Sequence, residues 1–107
     1  MCVSPSERGS MEQNFWIGVL SVDLHIPHSQ SLKEKRRVLK SIKDRIRSRH
    51  NVSVAEVGDL DKWQRALLAV SMVSNDKVRI DGELQGVLDL VCEVDGAEVL
   101  NHQVEFI

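Results

Sequence analysis

From Phe15 to Ile107 the chain runs through an alternating apolar stretch, a stretch at helical spacing, a short β-branched run, a run apolar at both parities, a second stretch at helical spacing and a loosely alternating end. The chain must therefore accommodate the order strand, helix, strand, strand, helix, strand. A length of 107 residues leaves one ordinary domain to hold it. With right-handed crossovers, the most economical arrangement is an α+β fold, a ferredoxin-like two-layer sandwich. It has four antiparallel strands with both helices on one face. The first and third strands, the most apolar, are expected at the centre.

The first strand spans Phe15 to Ile26, ended by Pro27, which has no ladder donor. Trp16, Leu20, Val22, Leu24 and Ile26, with Gly18 among them, share one parity. The other parity begins apolar at Phe15, Ile17 and Val19 and becomes polar at Ser21, Asp23 and His25. Ser31 and Glu34 then form an S-x-x-E capping box, and no Gly or Pro interrupts the eighteen positions that follow. Leu32, Val38, Leu39, Ile42 and Ile46 form the buried stripe of this helix. Asn51–Val57 and Gln64–Val73 read as a hairpin, the second strand apolar at both parities as in a strand covered on both faces. A connection from Gly58 to Trp63 is expected to set Glu56 across from Arg65. Ser74-Asn75-Asp76 offers caps for a second helix, whose stripe is read as Val78, Leu84, Val87, Leu88 and Val91, running to about Val94. Ala97–Ile107 closes the sheet.

Charge is unevenly placed. Ser31–His50 holds nine Lys or Arg against two acids, a local +7, while the other 87 residues hold five against fourteen, a local −9. Lys33, Arg36, Arg37, Lys40, Lys43 and Arg47 gather on the side of the helix away from its apolar stripe. A merely solubilising face commonly mixes both signs. Six segregated cations instead fit phosphate, with RNA the expected partner. Trp63 and Arg65, at the hairpin, are candidates for a secondary contact.

In this topology the sheet face opposite the helices is left open. Only four residues are aromatic, and none lies between Gln64 and Val73, so base stacking on the central strands is disfavoured there. Phe15, Ile17, Val19, Leu67, Ala69 and Val73 form instead an apolar patch that suits a homodimer, the alternative reading with no nucleic-acid role.

No catalytic residues, metal ligands or cofactors are expected. His25-x-x-His28 places its rings on opposite faces of a strand, and Asp59 and Asp61 suit a turn. G-x-S-x-G, C-x-x-C and phosphate-cradling glycine loops are all missing. Cys2 and Cys92 share no ligand spacing; Cys92 is expected to be a small buried apolar residue, and unpaired thiols suit the cytoplasm. Residues 1–13 read as a disordered polar tail, followed by a single domain over residues 14–107, with Met11 an alternative start. No run approaches the length of a membrane span.

Ser31-Leu32-Lys33-Glu34-Lys35-Arg36-Arg37-Val38-Leu39-Lys40, Asn51–Val57, Asp61-Lys62-Trp63-Gln64-Arg65-Ala66 and Val73-Ser74-Asn75-Asp76 together resemble the YlxP family of small uncharacterised bacterial proteins. The resemblance covers about residues 15–107 and implies a ferredoxin-like fold. One position departs from the family pattern: Leu60 stands where Gln often precedes the motif aspartate. Genes of this family often neighbour those of translation initiation and ribosome maturation factors, so the resemblance implies an RNA or ribosome partner. It carries over no catalytic residue.

Overall fold

A computed structural model describes residues 14–107. The expected tail, with Cys2 and Met11, lies outside the described residues. The elements follow in the order β1 (Trp16–His25), α1 (Leu32–Arg49), β2 (Ser53–Gly58), β3 (Arg65–Ser74), α2 (Lys77–Cys92) and β4 (Glu98–Phe106). One sheet runs β2-β3-β1-β4 with every neighbouring pair antiparallel, and the fold is the ferredoxin-like α+β sandwich. β1 and β3 are the central strands.

Alternation in β1 drives the packing. Leu20, Val22, Leu24 and Ile26 point to the helix layer and are buried together with Ala66, Leu68, Val70 and Met72 of β3. α1 closes over them with Leu39, Ile42 and Ile46, and α2 with Ile80, Leu84, Val87 and Val91. Gly18 lets α2 come this close, because a Cβ there would collide with Ile80 Cγ2.

Each helix is capped by its own sequence. Ser31 Oγ accepts from the Glu34 amide at 3.1 Å, while the Glu34 carboxylate reaches back to the Gln30 amide, one residue before the capping-box position. Asp76 Oδ1 accepts from the amides of Val78 and Arg79.

Several expectations change. The inward stripe of α2 begins at Ile80, whereas Val78, about 200° around the helix from it, is 80% exposed. Cys92, the last helical residue, falls about 120° from Ile80 and is an exposed free thiol rather than a core residue. α2 ends there, with Glu93 as its C-cap. β3 is central, yet only one of its faces is buried; Val73 on the other is 63% exposed. Glu56 lies opposite Leu68, not Arg65, and Arg65 pairs with His25 of β1. Alternation makes the expected pair impossible: Glu56 faces the helices and Arg65 faces the open side of the sheet.

Candidate nucleic-acid interface

α1 sorts its nine cations by angle. At about 100° per residue, Lys33, Arg36, Lys40, Lys43 and Arg47 fall along one flank and Arg37 lies on the outermost line. The flank borders the edge strand β2, where Arg47 Nη2 donates to Val54 O at 3.2 Å. Lys40 pairs with Asp44 one turn on, at 3.1 Å and largely in solvent. Such a pair contributes a few tenths of a kcal/mol, about 0.3–0.5, to a helix. Lys33, Arg36, Arg37 and Lys43 make no hydrogen bond or ion pair among the described residues. Arg37, Lys40 and Arg45 surround a shallow hollow of about 380 Å³ with Ser41 and Asp44. Arg45, outside the six expected contacts, borders that hollow from the other side, about 80° past Arg37 around the helix.

Lys35 behaves differently. It is completely buried, on the same stripe as Leu39, Ile42 and Ile46. Its Nζ donates to the carbonyls of Asp59, Arg65 and Leu60 at 2.8, 3.2 and 3.4 Å. Those three acceptors match the three donors of an ammonium. The counter-charge is Glu56, whose Oε2 stands 2.8 Å away. Lys35 therefore ties α1 to the β2–β3 loop from within.

The same loop is gripped from its other end. Gln64 Nε2 donates to the carbonyls of Pro27 and Ser29, and Gln64 O accepts from the Ile26 amide at 2.8 Å. The two stretches Ser31–Lys40 and Asp61–Ala66, separate in sequence, are thus interlocked through Lys35 and Gln64. Inside the loop, Asp59 adopts the left-handed region at φ 57° and its carbonyl also accepts from the Lys62 amide. Trp63 is left at the surface, 54% exposed.

Arg65 does not join this surface. Its side chain lies on the open sheet face, where Nη2 contacts Asp23 Oδ2 at 2.8 Å. Beside it, His25 Nδ1 is 3.3 Å from Glu98. That end of the face is therefore polar and internally paired. The expected dimer face is shorter than the sequence suggests: Ile17 sits opposite Val73, but Val19 faces Ser71, Ser21 faces Ala69 and Asp23 faces Leu67. Phe15 precedes β1 at the apolar end.

A family model described as "Protein of unknown function (DUF503)" matches residues 17–104. The chain belongs to this family. Within it, the chain is similar to the "Uncharacterized protein YlxP" of Bacillus subtilis (strain 168), with 41% identity over 75 residues, covering 70% of this chain and 82% of that protein. All of β1 but Trp16 and most of β4, with everything between, fall inside the DUF503 match. Among solved structures, a "De novo designed protein Foldit4" is 17% identical with a TM-score of 0.49, covering 85% of this chain and 96% of that one. A designed protein so distant says nothing of what DUF503 proteins bind. No described helix is long and apolar enough to cross a membrane.

Proposed function

We propose that the chain is a non-enzymatic RNA-binding factor of the cytoplasm that holds phosphates of ribosomal or other structured RNA against the outer flank of α1. One observation carries this reading. In a chain with more acids than bases, Lys33, Arg36, Arg37 and Lys43 stand on one helix without a carboxylate partner among the described residues, while Lys35 of the same helix is sequestered and neutralised. A helix selected only for solubility gains from Glu–Lys pairs along its face. This one has a single such pair, Lys40–Asp44.

Counterion release tests the reading directly. If about four cations meet phosphates, log affinity for an RNA hairpin falls against log salt with a slope of about −3. Reversing Lys33, Arg36 and Arg37 to Glu places negative charge in the first two turns, where the helix dipole favours it, so the fold is retained. The slope of that variant is expected to fall to about −1 and its affinity to collapse. An unchanged slope rejects the assignment. Crosslinking in cells with sequencing of the attached RNA then identifies the partner.

A second reading, a homodimer through the open sheet face, draws support from exposed Val73 and half-buried Ile17 opposite it, with exposed Phe15 just before β1 and Val19 two residues further along the strand. In that assembly the face is closed by a second copy, and α1 stays outward.

A further inference from the structure

The β2–β3 loop carries a different chemistry from the helix beside it. Its charged residues are Asp59, Asp61 and Lys62, and Lys62 Nζ is already 3.3 Å from Asp59 Oδ1. With two carboxylates against one ammonium, the loop offers a phosphate no net positive charge. What it presents is apolar area: Leu60 is 58% and Trp63 54% exposed. The Trp63 side chain makes no hydrogen bond or ring contact among the described residues.

An exposed tryptophan on a floppy loop would lose conformational entropy on engaging a ligand. Here the backbone part of that ordering is already done. The Lys35 ammonium holds the carbonyls of Asp59 and Leu60 on one side, and Gln64, the next residue after Trp63, is fixed to the Pro27–Ser29 turn on the other. Because Lys35 belongs to the second turn of α1, the loop is anchored at the end of the helix where Lys33 and Arg36 begin the cationic flank. The flank from Lys33 to Arg47 is about 21 Å long at 1.5 Å per residue. The cationic row thus ends beside an anchored loop that presents an apolar, aromatic surface with no net positive charge. The part of a nucleic acid that fits such a surface is the face of a base, and only an unpaired base offers it.

We infer that Trp63, supported by Leu60, stacks one unpaired base, so that the RNA held along α1 is single-stranded at the end next to the β2–β3 loop. This inference rests on the RNA reading of α1 and adds to it the class of RNA. Protein labelled with 5-fluorotryptophan gives separate ¹⁹F signals for Trp16 and Trp63, assigned with Trp63→Phe. Titration with a single-stranded oligoadenylate of about a dozen nucleotides is expected to move the Trp63 signal, whereas a blunt duplex of equal length leaves it in place. Trp63→Ala is expected to weaken single-strand binding about tenfold, with duplex affinity and salt slope unchanged, and Trp63→Phe to restore most of the loss. If Trp63→Ala binds the single strand as tightly as wild type while salt-dependent binding persists, the stacking platform is overturned and the helix reading survives. If neither RNA binds, both fall. A loop that instead docks a protein gives the first of these outcomes.

Discussion

Lys35 is the residue on which the local architecture turns. A buried ammonium is costly unless its charge and all three donors are met. Here the carbonyls of Asp59, Leu60 and Arg65 meet the donors and Glu56 meets the charge. Lys35→Met leaves the Glu56 carboxylate, itself mostly buried, without its counter-ion. The expected loss is about 3–5 kcal/mol, read as a lower urea midpoint. Lys35→Met with Glu56→Leu removes both charges and is expected to recover a large part of that loss. A double variant no more stable than the single would show that the loop carbonyls, not the ion pair, dominate the cost. The position was legible from spacing, since residues 35, 39, 42 and 46 share one face. The residue type hid it, because a lysine in a run of nine cations reads as one more solvated charge.

α2 shows the same tension between propensity and packing at the scale of an element. Two glycines weaken it as a helix, and they are not equivalent. A Cβ at Gly82 would meet nothing within 4 Å, whereas one at Gly86 would stand 3.0 Å from His50 Cε1. His50 caps α1 and its Nδ1 is 3.1 Å from Glu83 Oε2 of α2, so Gly86 makes room for the contact that joins the two helices. Gly82→Ala is therefore expected to raise stability by about 0.5–1 kcal/mol, the helix-propensity difference. Gly86→Ala is expected to gain less or to lose, and thermal unfolding of the two variants side by side measures the contrast. Equal gains would mean that the His50 ring moves aside freely. The elements themselves were legible because periodicity and caps act over short range: Ser31, Pro27 and Asp76 mark boundaries with only their neighbours' help. Register and facing were not. Glu56 and Arg65 carry opposite charges at hairpin spacing, but the bulge around Val57 and the alternation of β2 put them on opposite faces. One apolar residue at the start of a helix, Val78, does not fix the phase of the stripe; Ile80 does.

At the scale of the whole molecule, the two surfaces that suit a partner lie on opposite sides of the sheet. The cations of α1 belong to the helix layer, and the Ile17–Val73 pair belongs to the open face. The sequence made the cationic surface legible in outline, because charge segregates by angle along one helix. It exaggerated the apolar surface, because strand pairing sets Ser71 opposite Val19, Ser21 opposite Ala69 and Asp23 opposite Leu67, so that polar residues interrupt the patch. Opposite placement makes the two roles separable by experiment. Ile17→Asp puts a carboxylate beside Val73 and across the sheet from every α1 cation, so it is expected to disrupt a dimer without touching phosphate binding. If the open face is closed by a second copy, wild-type protein sediments as twice 12.1 kDa and Ile17→Asp as a monomer. Its salt slope for RNA is then expected to match that of wild type when both are expressed per chain, because each chain keeps its own row of cations. A slope that falls together with the dimer would show instead that the RNA spans both α1 helices, with the apolar face serving to bring two cationic rows into one site.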